Sequence, residues 1–390
     1  MKWEKVLLGE VTDSCLGKML DQEKNRGEYQ PYLANVDVRW GNFNLDDLSE
    51  MRFEKDEQER YGLKYGDLVI CEGGEPGRCA IWKNQIPNMK IQKALHRVRV
   101  HDCLDYRYLY YWFLLAGKTG GLEQYFTGAT IKHMPGQKLK SVVIDKPPIE
   151  IQRSIADVLS SYDDLIENNQ KQIKLLEEAA QRLYKEWFVD LRFPGHENTK
   201  ITDGIPEGWK IQTLSQIADV VMGQSPKSEF YNQNGQGLPF HQGVGSYGTR
   251  FVVDKIYSTS FTRIAEAGSI LFSVRAPVGR LNLTRNRVVI GRGLAAINHR
   301  LGKQSYLFYL LKEHFFKDDV IGNGAIFASI SKDELLAQQF TIPVSNLIEQ
   351  FNVIVSDMDG RIAELAEQVT LLIEARDRLL PKLMSGEIEV

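Results

Sequence analysis

The chain has 390 residues, 43% hydrophobic and 25% charged, with a net charge of −3; this is a globular composition with room for two or three domains. No apolar run reaches the roughly 18 residues of a membrane span, and MKWEKVLLGE has no signal-peptide core, so a cytoplasmic protein is expected. The overall charge does not by itself point to nucleic acid, and Cys15, Cys71, Cys79 and Cys103 form no CxxC pair and have no histidine at zinc spacing, so reduced thiols and no metal site are expected.

The first segment with a clear turn is WEKVLLGEVTDSCLGK (3–18), which ends on Gly17-Lys18. A strand-like run, LVI (68–70), then leads into the glycine-rich EGGEPGR (72–78). A phosphate-binding loop would need a helix directly after those glycines, and no helix signal follows. GKTGG (117–121) fails as a Walker motif because Trp112 stands where the earlier glycine is required. The turn is better read as a scaffold that holds Arg78. From Pro76 to His101 there is no acid, but there are Arg78, Lys83, Lys90, Lys93, Arg97 and Arg99. A second acid-free stretch, 127–144, carries Lys132, His133, Lys138 and Lys140.

From residue 149 the pattern becomes helical. Apolar positions at Ile151, Ile155, Leu159, Tyr162, Ile166, Ile173, Leu176, Ala180, Leu183 and Trp187 step by four and three, with Asn169 filling the missing place. Sustained heptads of this kind specify a coiled coil.

The remainder repeats the first half. AGSILFSVRAPVGR (267–280) matches YGDLVICEGGEPGR (65–78), with Gly66, Gly77 and Arg78 on Gly268, Gly279 and Arg280. WKIQTLSQIADVVMGQ (209–224) matches residues 3–18, Tyr306-Leu307 matches Tyr108-Leu109, and Gly324-Ala325 matches Gly128-Ala129. The acid-free window recurs from Gly268 to Lys312 with Arg275, Arg280, Arg285, Arg287, Arg292, Arg300, Lys303 and Lys312. A second heptad series runs from Phe351 through Val355, Met358, Ile362, Leu365, Val369, Leu372, Arg376 and Leu379 to Leu383.

The chain is therefore two copies of one unit of about 195 residues, each a strand-rich part followed by a long helix. The helices could each pack on their own domain. Pairing the two stripes is the simpler way to bury both, as an antiparallel coiled coil with pseudo-twofold symmetry. Polar Asn169 and Arg376 would then fix its register. The expected fold is α+β: two tandem strand-rich domains, 1–148 and 208–345, helical regions 149–191 and 346–390, and a linker at 192–207. Basic windows on both copies suit phosphate neutralisation, and Arg or Gln on loops suits base reading. Residues 20–40 and 225–245 diverge, as expected if each copy reads a different DNA sequence.

No methyltransferase, helicase, metalloprotease or serine-hydrolase motif is present, and no catalytic residue is assigned. A single-chain DNA-modifying or DNA-cleaving enzyme and a protein-binding coiled-coil scaffold remain as alternatives.

LGKMLD (16–21), PYLANVDVRWG (31–41), YGDLVICEGGEPGRCAIW (65–82), LYKEWFVDLRFPG (183–195) and IPEGWKIQTLSQIA (205–218), in this order and on a duplicated chain, resemble the specificity subunits of type I DNA restriction-modification enzymes. The resemblance covers essentially the whole chain. It implies two target-recognition domains that each read half of a bipartite duplex target, and a paired coiled coil. It also implies docking to two methyltransferase subunits that bring S-adenosylmethionine, and to restriction subunits that use ATP and Mg, with no cofactor in this chain. Candidate DNA contacts are Lys18, Arg78, Lys132 and His133 in the first copy, and Gln224, His241, Arg275 and Arg280 in the second. Candidate methyltransferase contacts are Trp187 and Phe188.

Overall fold

The computed structural model describes residues 3–21, 25–315 and 329–390; Gly324-Ala325 therefore lie outside the described residues. By packing, the chain divides into two compact units, one of residues 1–169 with 367–390 and the other of residues 170–366. The division runs through the two long helices rather than at their ends.

The principal elements of the first unit are strands β1 (Glu4–Leu7), β2 (Thr12–Leu16), β3 (Glu28–Leu33), β4 (Leu68–Cys71), β5 (Cys79–Ile81), β6 (Lys90–Ile91), β7 (Leu95–Val100) and β8 (Val143–Lys146), with helices α1 (Tyr106–Thr119) and α2 (Ile149–Tyr184). An antiparallel sheet has the order β2-β7-β4-β5; β1 pairs antiparallel with β8, and β3 pairs parallel with β6. The second unit contains β9 (Lys210–Thr213), β10 (Ala218–Met222), β11 (Leu238–His241), β12 (Ile270–Ser273), β13 (Leu281–Leu283), β14 (Val288–Ile290), β15 (Leu294–His299), helix α3 (Gln304–Phe315) and β16 (Gln339–Ile342), followed by α4 (Ser345–Ser385). The same pairings recur: β10-β15-β12-β13, β9 with β16, and β11 parallel to β14.

The run LVIC (68–71) is apolar throughout because both faces of β4 are covered. Leu68 and Ile70 face the core built with Tyr108, Leu109 and Phe113 of α1. Val69 and Cys71 face a second core with Leu33, Ile91 and Leu95. Two-residue alternation thus feeds two cores from one strand. β12 does the same: Ile270 and Phe272 pack with α3, while Leu271 packs with Ile290 and Leu294. The shared glycines have shared causes. Gly77 and Gly279 turn the chain after β4 and β12 at φ of 91° and 89°, a region that side chains other than glycine's rarely enter. At Gly17 and Gly223 the reason is close approach: a Cβ would lie 2.5 Å from Gln92 and 2.2 Å from Gly291.

The heptad stripes are buried against each other. In the first unit, Ile155 and Leu159 of α2 share a core with Leu380, Leu383 and Met384 of α4. Asp163 is ion-paired with Arg376, and the Asn169 Nδ2 donates to Gln368 Oε1 at 3.1 Å. In the second unit, Ile173 of α2 meets Ile362 and Leu365, while Tyr184 meets Phe351. In both units, ascending positions on α2 meet descending positions on α4. The coiled coil is antiparallel, and both polar seam residues are engaged within it, consistent with a role in fixing register.

Candidate nucleic-acid interface

In the second unit, β10, β11, β12 and β14 end side by side, and the turns that follow are bonded to one another. Gln224 N donates to Ile290 O at 2.9 Å, Gly291 N to His241 O at 2.8 Å and Val274 N to Gly293 O at 2.9 Å. The Arg292 N–H reaches Ser225 Oγ at 3.3 Å. Each turn exposes one long polar side chain: Gln224, Gln242, Arg275 and Arg292. Gln242, Ser273, Arg275 and Arg292 are among the residues lining a pocket of about 470 Å³ that no acid lines. Neither guanidinium pairs with a carboxylate among the described residues. Exposed donors on cross-braced turns form a rigid, positive surface that suits phosphates and the acceptor-rich edges of bases.

Arg280 is exposed and lines an adjacent pocket of about 390 Å³ with Glu177, Arg250 and Lys312. His241 does not belong to the surface. Its ring is fully buried, with Nε2 3.1 Å from Asp254 Oδ1. In the sheet it stands beside Ile290 of β14.

The first unit has the same turns with other residues. Lys18, the counterpart of Gln224, points inward: it is 3% exposed, ion-paired with Glu57, and donates to Arg52 O at 2.9 Å. An ammonium compensated in this way is a structural group, so the expectation of a DNA contact at Lys18 is corrected. Arg78 is half-buried and closes its own turn, with Nη1 3.0 Å from Glu75 Oε2 and Nη2 3.1 Å from both the Asn35 carbonyl and Oδ1. Lys132 and His133 are exposed on a hairpin closed by reciprocal Thr127 and His133 backbone bonds of 2.7 and 2.8 Å. Lys132 lies 3.8 Å from Glu123 Oε1.

Three residues at these turns were not among the candidate contacts: Gln242, and Arg292 and the exposed Lys93, which the sequence placed only in the acid-free windows. Both turns preceding β7 and β15 put a cation at the same place, since Gly17 N bonds Leu95 O as Gly223 N bonds Leu294 O. Aligning GRG (291–293) with QKA (92–94) would have found the pair.

Trp187 and Phe188 also differ from expectation. They lie in a single π-helical turn, Lys185–Val189, at the end of α2 and pack into the core around Phe351. They therefore do not offer the exposed aromatic surface expected of a docking contact.

Burial pushes the Cys71 thiol up to about 11 despite Arg78 nearby, and pushes Cys79 well above its ordinary value, so neither is a ready nucleophile. Among the described residues, no group of His, Cys, Asp and Glu is placed to hold a metal ion, and no helix is long and apolar enough to cross a membrane.

A duplicated frame with an antiparallel coiled coil and chemically different turns defines a class of two-headed recognition proteins. Residues 1–178 and 206–375 match the family model of the type I restriction modification DNA specificity domain, and the chain belongs to that family. It is 28% identical over 341 residues to the type I restriction enzyme MjaIX specificity subunit of Methanocaldococcus jannaschii, covering 83% of this chain and 78% of that protein. It is 25% identical to the MjaVIII specificity subunit of the same organism, over all of this chain and 93% of that one. A candidate MjaX specificity subunit from that organism is 33% identical over 65% of this chain, and the match spans 61% of its length. The crystal structure of the S subunit of a type I restriction-modification system from M. genitalium shares the fold, with a TM-score of 0.59 and 18% identity over 98% of this chain and 96% of that one.

Proposed function

We propose that this chain is the DNA-recognition subunit of a type I restriction-modification complex. Residues 1–148 and 208–345 each read one half of a bipartite duplex target. The helical regions 149–191 and 346–390 set the gap between the halves, and the linker 192–207 leads from the first helical region into the second domain. The observation that carries this reading is that one backbone frame occurs twice while its turns present different chemistry. The second unit exposes Gln224, Gln242, Arg275 and Arg292, whereas the first turns Lys18 inward and exposes Lys93. Two different readers on one frame suit a target with two different halves.

The chain itself is non-catalytic in this reading and works in the cytoplasm. Two methyltransferase subunits dock on it and supply S-adenosylmethionine chemistry. Restriction subunits supply ATP- and Mg-dependent cleavage. Exposed apolar side chains along the paired helices, including Leu165, Leu175 and Leu371, are the better candidates for the docking surface than Trp187 and Phe188.

Footprinting of the chain assembled with its methyltransferase subunits tests the reading. Two short protected blocks on one duplex, separated by a gap and weakened by salt, are expected. One contiguous block, or protection independent of sequence, would contradict it.

A further inference from the structure

We infer that the second unit reads guanine, with Arg275 and Arg292 each recognising one G·C pair in its half of the target. The inference rests on the proposed DNA-reading role and goes beyond it by naming the bases. Three observations lead there. First, the two guanidiniums lie in one pocket and are unpaired with any described carboxylate. Second, the turns that carry them are braced to each other, because the Val274 N–H, adjoining Arg275, bonds the carbonyl of Gly293, adjoining Arg292, at 2.9 Å. Third, the same pocket carries a carboxamide, Gln242, and a neighbouring turn exposes another, Gln224.

Carboxamides can donate to phosphate oxygens but cannot neutralise their charge, so they add less to a phosphate-binding surface than cations do. Base edges in the major groove do use them. An arginine fork donates twice to the O6 and N7 of guanine, the densest pair of acceptors in that groove, and glutamine pairs with adenine. Short braced turns also lower the entropic cost of presenting the two forks together, compared with a flexible loop.

The test is selection from a randomised duplex library by the chain assembled with its methyltransferase subunits. The unsubstituted complex should enrich a bipartite motif in which one half contains two required G·C pairs. Arg275→Ala should relax one of those positions about tenfold to a hundredfold, and Arg292→Ala the other, with the opposite half of the motif unchanged. Both side chains are exposed, so the fold should survive, and retained selection of the opposite half reports that directly. The inference is overturned if neither half requires two G·C pairs, if the variants leave the motif intact, or if affinity falls equally for all sequences, which is the mark of phosphate contacts. An unsubstituted complex that enriches no bipartite motif removes the DNA-reading role and this inference with it.

Discussion

Arg250→Ala is expected to lower the stability of the unit formed by residues 170–366 by about 3–5 kcal/mol, the usual penalty for stranding a buried charge partner. Arg250 has a side chain only 3% exposed and joins three parts of the unit. Its Nη2 is ion-paired with Asp359 of α4, its Nη1 lies 3.7 Å from Glu177 of α2, and its guanidinium stacks 3.8 Å from the Phe308 ring of α3. Removing it leaves two partly desolvated carboxylates with Lys312 as the remaining cation beside them. The first unit solves the same problem differently. Asp163, the heptad counterpart of Asp359, is ion-paired with Arg376 from the partner helix and accepts from Tyr111 Oη–H at 2.7 Å.

The pH dependence of the Arg250→Ala deficit follows from these acids. Burial raises both Glu177 and Asp359 above the ordinary carboxylate range, and Arg250 opposes that rise. An acid raised on folding costs stability above its folded value, and the cost disappears as pH falls toward its unfolded value. Without Arg250 the rise is larger. The deficit should therefore be full at neutral pH and should shrink as pH drops into the carboxylate range. Urea unfolding at pH 7 and near pH 4.5 measures both, and a deficit that does not depend on pH would count against the ion cluster as its cause.

Phe351→Ala should cost a comparable 3–5 kcal/mol, typical of deleting a buried aromatic ring. Phe351 is fully buried, with its ring centroid 5.1 Å from Phe188, 5.7 Å from Tyr184, 6.0 Å from Trp187 and 6.2 Å from Tyr306. These rings come from the end of α2, the π turn after it, and α3. Their edge-to-face contacts add to burial, so one deletion loosens several elements together. Hydrogen exchange should show amides of 184–188 and 304–311 losing protection jointly. A loss confined to α4 would mean that Phe351 does not organise the cluster.

The long helices, the buried strand at 68–71 and the glycine turns were legible in the sequence because each is fixed by local pattern. A heptad stripe must find a mate of the same period, and LVIC has no polar face to expose. Side-chain fates at the interface depend on distant partners and were not legible. Lys18 is drawn inward by Glu57, on the short helix Glu57–Tyr61 that the local sequence does not announce. Arg78 and Arg280 occupy matching places, yet Arg78 closes on Asn35 because the first unit's turn has an asparagine within reach. Trp187 and Phe188 look like a sticky patch until Phe351 covers them. The repeat identified the turns, but a turn does not determine whether its side chain faces solvent or core.

In the proposed function the paired helices set the distance between two independent readers. Deleting one heptad from each helix at matched positions shortens the pair by about 10.5 Å, or roughly 3 base pairs at about 3.4 Å each. Methylome sequencing of cells carrying the shortened chain in its complex should then show the same two half-sites with the gap reduced by about that number. Unchanged spacing with both half-sites intact would contradict the claim.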